Sequence, residues 1–491
     1  MSEERYFRER ARIEQGHVKY RDKLKDEGKL FVRDRLKLLL DPGSPFQEDF
    51  LFARNQEADT PADGVVTGVG TVGGRTVCIM ANDYTVKAGS WGEKTVAKIV
   101  RIQERAQRLQ VPLLYLVDAA GGRIFYNEVQ LSGVVPQVCI LFGPSPAGSA
   151  YLPALTDCVI MVDGKASLYV GSPRMVEMAI GEKVSLEDLG GARMHCSVSG
   201  CGDILAGSDE DAIEICKRYL AFMPQSYRER PAVAEAREAA PGRPIEEIVP
   251  YDQRKWFDMY EVIDRVVDAG SFFEIKRLFA QEIITGFARI GGRAAGIVAN
   301  QPKVKGGVLM VDSSDKGARF IWLCNAFNIP LVYLADVPGF MVGAKVERAG
   351  IIRHGAKMVF ATSQATVPKI SVVVRKCYGA GLYAMCGPAF EPDAALSLPQ
   401  GQVAIMGPEP AVNAVYYNKI MELPESERAA YVREKREEYV QDVDIYKLAS
   451  EMLVDGIIAG SELRGELIKR LEYAQSKQLE FPPRRNPVLP V

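Results

Sequence analysis

Residues 67–89, TGVGTVGGRTVCIMANDYTVKAG, align without a gap on residues 285–307, TGFARIGGRAAGIVANQPKVKGG, with 11 of 23 positions identical. The same offset places VPLLYLVD (111–118) on IPLVYLAD (329–336). Self-similarity at a fixed offset indicates the duplication of one structural unit. We therefore predict two similar domains with two similar sites, which suits a reaction that passes a group between two carriers.

The repeated stretch alternates apolar strands with helical segments. The β-branched runs GVVTGVGTV and RTVCIMAND precede the helical GEKTVAKIVRIQERAQRLQ and the apolar strand VPLLYLVD. Strands that alternate with helices are typical of βαβ units around a buried, largely parallel sheet. The sequence therefore predicts the α/β fold class for each half.

A proline-rich stretch separates the two copies. Residues 224–250, PQSYRERPAVAEAREAAPGRPIEEIVP, contain five prolines and few large apolar residues, as expected of a linker. We expect an N-terminal domain over 1–230, a linker over 231–250 and a C-terminal domain over 251–491. Amphipathic spacing further predicts a helix within 1–40. We also expect two helical segments, near 420–440 and 444–477, to close the C-terminal domain.

Composition restricts the possible partners and compartment. The net charge is −2 with both signs interspersed, which argues against a nucleic-acid surface, and no apolar run is long enough to span a membrane. The nine cysteines lie mostly inside apolar stretches, which predicts buried, reduced thiols. The N-terminus carries four glutamates and no apolar core, unlike a signal peptide. We therefore expect a cytoplasmic protein.

Side-chain catalysis finds little support in the sequence. The three histidines, His17, His195 and His354, belong to no evident catalytic or metal set, and structural hydrogen bonds explain them more simply. Cys196 and Cys201 lack the second pair or the histidine that a zinc site needs, so we expect no metal. Neither a nucleophile elbow nor a phosphate-binding loop is present in a strand-turn-helix setting.

Two turns rich in small residues are better candidates. GPSPAGSAYLPA (143–154) and RKCYGAGLYAMCGPA (375–389) each follow a strand that begins with Val-Pro and precede a helix. Small residues there let a ligand approach the backbone, and the free amides of the first helical turn can stabilise a developing oxyanion such as an enolate. Tight helix packing explains a single Ala-Gly pair equally well. Two turns at equivalent places favour two oxyanion sites.

The copies differ in length directly after a strand end, where α/β sites lie. Only the segment 119–135 separates Asp118 from Pro136, whereas the longer segment 337–367 separates Asp336 from Pro368. Either the first copy has a shorter loop, or the sequence omits part of this loop at Gly121–Gly122. We favour the omission, which predicts that part of the first site is missing.

At these residues the chain resembles the carboxyltransferase (β) subunits of biotin-dependent acyl-CoA carboxylases, from about residue 30 to 470. The motifs that carry the resemblance are RDRLKLLLDPGSPF, ANDYTVKAGS, GRIFYN, GPSPAGSAYLPA, GEKVSLEDLGGARMHCSVSG, EVIDRVVDAGSFFEI, TGFARIGGRAAGIVANQP, DVPGFMVG, GIIRHGAK, ATVPKISVVVRKCYGAGLYAM and VAIMGPEPAVN. The resemblance implies a duplicated crotonase-like (ClpP/crotonase) ββα superhelix with two similar domains.

The resemblance also implies the reaction. The N-terminal half receives the acyl-CoA, the C-terminal half of a neighbouring subunit receives carboxybiotin, and the substrate enolate attacks the released CO2. It assigns Ala147 and Gly148 to the thioester enolate, and Ala380 and Gly381 to the biotin ureido oxygen. Further contacts to substrate or biotin fall to Gly143, Ser149, Tyr151, Tyr378, Gly379, Leu382 and Tyr383, and no metal takes part.

The implied assembly is a homohexamer that works with a separate biotin carboxylase or biotin carrier (α) subunit. The chain itself contains neither a biotin-attachment AMKM sequence nor an ATP-binding glycine-rich loop. The resemblance places such an enzyme in fatty acid or branched-chain amino acid metabolism.

Some positions depart from the family pattern. Pro146 precedes the first turn and cannot donate a hydrogen bond. Tyr383 stands where the acetyl- and propionyl-CoA type has an acidic residue; this resembles the methylcrotonyl-CoA type, but Leu382 departs from that type too. The acyl group therefore stays open. Two alternatives remain: a biotin-dependent acyl-CoA decarboxylase of a sodium pump, and a non-catalytic scaffold of a carboxylase complex.

Overall fold

The protein is described by a computed structural model that covers residues 2–57, 59–118, 124–479, 481 and 486–490. The chain folds into two compact units, residues 1–230 and 231–491. Residues 231–250 thus fall within the second unit. The segment Gly121–Gly122, where we predict missing residues, lies outside the described residues.

The first unit begins with three helices and then builds one main sheet. Its helices are α1 (Ser2–Glu14), α2 (Val18–Asp26), α3 (Val32–Leu39), α4 (Glu93–Leu109), α5 (Phe125–Leu131), α6 (Tyr151–Leu155), α7 (Pro173–Ile180), α8 (Leu186–Gly190), α9 (Ala192–Met194) and α10 (Asp209–Leu220). Its strands are β1 (Gln47–Asp49), β2 (Val65–Val72), β3 (Arg75–Asn82), β4 (Leu113–Val117), β5 (Gln137–Leu141), β6 (Pro144–Pro146), β7 (Cys158–Val162), β8 (Ser167–Tyr169) and β9 (Ile204–Ala206).

The second unit repeats this plan and adds helices at its C-terminal end. Its helices are α11 (Ile245–Ile248), α12 (Met259–Val266), α13 (Val311–Ala326), α14 (Ala344–Arg348), α15 (Ile351–Gln364), α16 (Ala380–Ala384), α17 (Pro408–Val415), α18 (Tyr417–Glu422), α19 (Glu425–Asp442), α20 (Ile445–Ser450) and α21 (Gly460–Tyr473). Its strands are β10 (Phe273–Ile275), β11 (Ile283–Ile290), β12 (Arg293–Asn300), β13 (Leu331–Val337), β14 (Lys369–Tyr378), β15 (Ala394–Ser397), β16 (Gln402–Ala404) and β17 (Gly456–Ile457).

The two main sheets have the same topology. The first has the order β1-β2-β3-β4-β5-β7-β9, and the second has the order β10-β11-β12-β13-β14-β15-β17 with β16 beside β14. In each sheet the first three strands are antiparallel and the following pairs are parallel. The predicted α/β fold with buried parallel strands is confirmed, since β4 and β13 are fully buried.

The repeat extends to the pairing of individual residues. Val65 faces Asn82 in the first sheet, and their equivalents Ile283 and Asn300 face each other in the second. Because pairing register decides which side chains enter the core, the two units bury equivalent positions.

Two local predictions are wrong. The leading segment forms three helices instead of one, because Gly16 and Gly28 adopt left-handed φ angles of 65° and 64° that end α1 and α2. The helical segment predicted near 444–477 is interrupted by the short strand β17, which pairs with Leu396 and Ser397 of β15.

Two compositional expectations can be compared with the structure. Eight of the nine cysteines are buried, as predicted, and Cys201 is exposed. Within the described residues, no helix combines the length and apolarity needed to cross a bilayer.

Candidate active site

The first turn begins after β6 as a single 3-10 turn, Ala147–Ala150, which leads into α6. Ala147 and Gly148 are exposed, whereas Ser149 is fully buried. Ser149 Oγ donates to the Pro146 carbonyl at 2.6 Å, and Ser145 Oγ donates to the Ser149 carbonyl at 2.9 Å. These bonds hold the shape of the turn while its outer backbone faces solvent.

The second turn lies between β14 and α16. Gly379 has φ 55° and ψ −141°, and its amide donates to the Ala404 carbonyl at 2.9 Å. Ala380 is exposed and Gly381 is buried. A Cβ at Gly381 would lie 2.8 Å from Val337 Cγ2, so only glycine fits there without a shift in its neighbours.

Strand pairing aligns the two turns. Leu113 pairs with Gln137 and its equivalent Leu331 pairs with Lys369, so the length difference between the copies lies between β4 and β5. Counting forward from these partners places Ala147 on Gly379, and both have a left-handed φ, 54° and 55°.

This register differs by one residue from the pairing of the two Ala-Gly dipeptides. Gly148 is the equivalent of Ala380, and Ser149 is the equivalent of Gly381. The first amides of a helical turn have no partner within the turn itself and are directed outward from it. Ser149, predicted only as a binding residue, therefore stands where the second copy has an amide assigned to the oxyanion.

The remaining predicted site residues differ in exposure. Tyr151 and Tyr383, which are equivalent, are 54% and 44% exposed, and Leu382 is half-buried. Tyr378 is buried and its hydroxyl donates to Gln402 Oε1 at 2.7 Å. Gly143 is buried as well, and a Cβ there would overlap the carboxylate of Asp118.

A buried ion pair that sequence reasoning missed precedes the second turn. Asp336 and Arg375 are both fully buried, with Arg375 Nη2 2.8 Å from Asp336 Oδ2 and Nε 3.2 Å from Oδ1. Charged residues within the apolar stretches LVYLADV and ISVVVRK were the available signal.

The first copy has the equivalent carboxylate. Asp118 is fully buried, with Arg35 Nη1 3.4 Å from Oδ2 and Lys29 Nζ 3.5 Å from Oδ1. Burial raises the pKa of Asp118, while Arg35 and Lys29 oppose that shift. Asn82 Oδ1 accepts the Asp118 amide at 3.4 Å, and the equivalent Asn300 accepts that of Asp336 at 3.3 Å.

A second feature shared by the two copies is a buried lysine. Lys98 Nζ donates to the carbonyls of Ala62 and Val65 at 2.9 and 2.5 Å. Its equivalent Lys316 donates to the carbonyls of Phe279 and Ile283 at 2.9 and 2.7 Å. Burial lowers the pKa of both ammonium groups to about 8.

Two of the three histidines form the local side-chain hydrogen bonds that we expected, whereas the buried Nδ1 of His17 has no partner among the described residues and its Nε2 lies 3.7 Å from Asp59 Oδ1. His195 Nδ1 lies 2.7 Å from Ser199 Oγ and Nε2 lies 2.8 Å from the Leu168 carbonyl. His354 Nδ1 lies 2.9 Å from the Asp315 carboxylate. Across the described ranges, no group of three or more His, Cys, Asp or Glu side chains is arranged to hold a metal ion.

Each unit also contains a cavity. In the first unit a cavity of about 680 Å³ is lined by His17, Tyr20, Lys23, Leu24, Asp59, Tyr84, Thr85, Lys87 and Ala88. In the second a cavity of about 550 Å³ is lined by Asp252, Gln253, Arg254, Pro338, Lys376, Tyr378, Gln402, Gly407, Pro408, Pro410, Arg436 and Val440. Lys29 Nζ lies 4.2 Å from the ring centre of Tyr84, which lines the first cavity, and 3.5 Å from Asp118 Oδ1. A Cβ at Gly143, where the first turn begins, would lie 3.2 Å from the same Nζ. Lys29 therefore lies between the first cavity and the first turn.

The chain is similar to known proteins over its whole length. A family profile described as carboxyl transferase domain matches residues 23–489. The uncharacterized carboxylase YngE of Bacillus subtilis is 59% identical and is covered, like this chain, over 100% of its length. That alignment has 510 positions for 491 residues, so it contains positions at which this chain has no residue.

Two further relatives extend the comparison. The methylmalonyl-CoA decarboxylase subunit alpha of Veillonella parvula is 37% identical over 97% of this chain and 96% of its own length. The crystal structure of transcarboxylase 12S, a hexamer with methylmalonyl-coenzyme A and methylmalonic acid bound, superposes with a TM-score of 0.94 at 39% identity. That superposition covers 99% of this chain and 98% of the other.

Proposed function

We propose a reaction from the premise that this chain belongs to the carboxyl transferase domain family, whose profile matches residues 23–489. Its fold is the duplicated crotonase-like fold of the carboxyltransferase subunits, as predicted. The proposed reaction moves CO2 from carboxybiotin, attached to a partner subunit, to an acyl-CoA. The product is the acyl-CoA carboxylated at the carbon that loses a proton.

Two exposed turns at equivalent positions of the duplicated fold support this reaction most directly. An enolate places negative charge on the thioester oxygen, and fixed backbone amides that point at that oxygen stabilise it in the transition state. In the first unit Ala147 and Gly148 are exposed for this role. No ionisable side chain needs to act as the base.

The second turn fits the ureido group of biotin. Ala380 is exposed, and the absence of a side chain at Gly381 keeps the backbone close to Val337 and leaves the outer face open. Bound carboxybiotin would supply CO2 and, through its ureido nitrogen, the base that takes the substrate proton. Ala380 and Gly381 would donate to its carbonyl oxygen, and Tyr378, Gly379, Leu382 and Tyr383 would form the surroundings.

The first cavity suits the phosphate-bearing part of coenzyme A. Lys23 and Lys87 provide two exposed cations on its wall, against the single carboxylate of Asp59. Phosphates are bound by such ammonium groups as point charges. Gly143, Ser149 and Tyr151 would then lie toward the thioester end of the same ligand.

The assembly is proposed by analogy with the 12S relative, which is a hexamer. We propose a homohexamer of this chain in the cytoplasm that works with an α subunit carrying biotin and biotin carboxylase. A second candidate, decarboxylation of a methylmalonyl-type CoA, is favoured by the 37% identity to the Veillonella decarboxylase subunit. Copurification with membrane subunits and sodium-dependent turnover would support that second candidate.

The test measures transfer in both directions. The purified chain is incubated with free biotin and malonyl-, methylmalonyl- or 3-methylglutaconyl-CoA, and the carboxylation of biotin is followed. The forward reaction is then measured with the biotin-charged partner subunit and acetyl-, propionyl-, methylcrotonyl- and longer acyl-CoAs. We expect turnover with at least one substrate pair and its loss in Gly148→Val. An oligomer that shows no turnover with any acyl-CoA would instead support the scaffold alternative.

A further inference from the structure

Asp336, in β13, lies opposite an irregularity in β14, the strand that leads to the second turn. Ala335 pairs with Val373 but Val337 pairs with Cys377, so β14 carries two more residues than β13 at this point. Extra residues bend a strand and leave amides without a ladder partner, and such bulges are frequent beside active sites. Asp336 Oδ1 accepts the amide of Lys376 at 3.1 Å, which satisfies one of these donors.

Arg375, within the same bulge, binds both Asp336 and a separate backbone segment. While Nε and Nη2 bind Asp336, Nη1 donates to the carbonyls of Asp252 and Lys255 at 3.1 and 2.6 Å. Removing one partner of a fully buried ion pair leaves an uncompensated charge, which is strongly unfavourable. The strand therefore cannot shift past Asp336 without breaking this network, and Ala380 lies only four residues beyond Lys376.

In the first copy the equivalent buried carboxylate, Asp118, is paired with a cation from α3, and Pro144, at the position of Lys376, has no amide to donate to it. The position equivalent to Arg375 is Gly143, where any side chain would overlap the Asp118 carboxylate. Arg35 of α3 supplies the positive charge, and its guanidinium carbon lies 4.0 Å from the ring centre of Phe142, directly before Gly143. Arg35 is also bound to Asp209 at 2.8 Å.

We propose that Asp336 with Arg375, and Asp118 with Arg35, are positioning residues that fix the two turns so that their amides point at the oxyanions. This assignment rests on the proposed function. The α3 helix, which precedes the first sheet, thereby becomes part of the first site.

The test uses Asp336→Asn with a matched control. Asparagine keeps the size and one acceptor oxygen but removes the charge that pairs with Arg375. Asp268→Asn makes the same change at another nearly fully buried aspartate, which binds Arg464 at 2.9 Å and the amides of Gly291 and Gly292 at 2.8 Å, in the β11–β12 hairpin.

A second pair of variants tests the first copy. Asp118→Asn is compared with Asp41→Asn, because Asp41 accepts the amides of Gly73 and Gly74 at 2.7 Å in the β2–β3 hairpin. Should Asp336→Asn fail to fold, Arg375→Lys keeps the charge and removes the forked geometry that reaches two segments at once.

We expect Asp336→Asn and Asp118→Asn to lower kcat about 10- to 100-fold while the KM for acyl-CoA stays within about 3-fold, because misplaced donors weaken the transition state more than the ground state. The hairpin controls should keep kcat within about 3-fold even where they lower the melting temperature. A purely structural role predicts equal kcat losses in variants and controls, which would overturn the assignment.

Amide hydrogen exchange provides a readout that needs no turnover. Exchange in residues 378–385 should accelerate in Asp336→Asn and not in Asp268→Asn, because only the former releases the strand before the turn. Unchanged exchange there would refute the positioning role even in an active enzyme. If the parent protein turns over no acyl-CoA but the two variants still show this difference in exchange, the proposed function is refuted. The conclusion that Asp336 and Arg375 position the second turn would still stand.

Discussion

Ala147 and Gly379 occupy the same position in the two copies of the fold, and their φ angles, 54° and 55°, are nearly identical. Glycine adopts this conformation freely, whereas an L residue with a side chain adopts it at a cost of about 1 kcal/mol or more. The first copy thus keeps a strained alanine where the second has glycine. Strain retained at Ala147, next to the exposed backbone of Gly148, supports a functional role for the first turn.

This relationship predicts opposite effects for two substitutions. Ala147→Gly should leave carboxyl transfer unchanged. It should raise the free energy of unfolding by up to about 1 kcal/mol, because the backbone strain that it relieves is larger than the stabilisation that the added conformational entropy of glycine gives the unfolded chain. Gly379→Ala should lower stability by about 1–3 kcal/mol, since its ψ of −141° excludes most side chains and a Cβ would lie 3.0 Å from the Ile405 carbonyl. Thermal unfolding of both variants checks this prediction. Destabilisation by Ala147→Gly would contradict it.

A second prediction concerns Gly148. A Cβ there would meet no atom within 4 Å, so Gly148→Val should fold and assemble normally. Its isopropyl group would instead block the face on which the thioester oxygen must sit, and we expect transfer to fall by at least about 100-fold. Gly381→Val should also abolish transfer but lose stability in addition, because Val337 already occupies the space. Normal activity of a folded Gly148→Val variant would refute the oxyanion assignment.

The paired lysines predict a pH-dependent contribution to stability. Burial lowers the pKa of Lys98 and Lys316 to about 8, whereas the unfolded chain holds the proton to about pH 10.4. Between these values the unfolded state binds more protons, so this contribution makes the folded state more stable as pH rises. The variant Lys316→Met lacks the ammonium group and therefore lacks this pH-dependent contribution to stability. The stability of the parent relative to this variant should therefore rise by about 2 kcal/mol from pH 7 to pH 9.5.

Melting temperatures across this pH range provide the measurement for the lysine prediction. Lys94→Met, at an exposed lysine of α4, serves as the control and should show a difference from the parent that does not change with pH. The same constancy in Lys316→Met would show that the ammonium stays charged in the folded state and would contradict the prediction.

The buried carboxyl group of Glu128 predicts the opposite change, a folding stability that falls as pH rises. Burial, aided by Asp157, raises the pKa of its carboxyl to about 9, and neither carboxyl oxygen has a hydrogen-bond partner among the described residues. A raised carboxyl pKa stabilises the fold at low pH, and this stabilisation is lost as pH rises from about 4 toward 9. Glu128→Gln lacks that loss, so its stability relative to the parent should grow by about 2 kcal/mol or more between pH 5 and pH 8.5. A difference that is constant with pH would mean that Glu128 is already ionised and paired.

Much of the fold could be predicted because it follows from local patterns. The strands β2, β3 and β4 and the helix α4 lie where alternation and helical spacing place them, and the internal repeat predicted that β11, β12, β13 and α13 would follow the same order. The breaks at Gly16 and Gly28 were missed because a left-handed glycine can occur within an otherwise helical pattern.

The candidate site was predicted less completely. The two small-residue turns were evident in the sequence, but pairing them by their Ala-Gly dipeptides placed them one residue out of register. The bulge in β14 and the buried Asp336–Arg375 pair escaped prediction, because a charged residue in an apolar strand can equally mark a strand end.

The duplication, the strand and helix order and the position of both turns follow from the chain alone, since they depend on periodicity and on residues close together in sequence. Which amides are equivalent, and which charges hold them, emerges only when the chain is folded. Arg35 reaches Asp118 from a helix far earlier in the sequence, whereas Arg375 reaches Asp336 from the neighbouring strand. A buried carboxyl group that stays ionised is stabilised by a cation, but any segment that packs against it can supply one, and the folded chain alone shows which segment does.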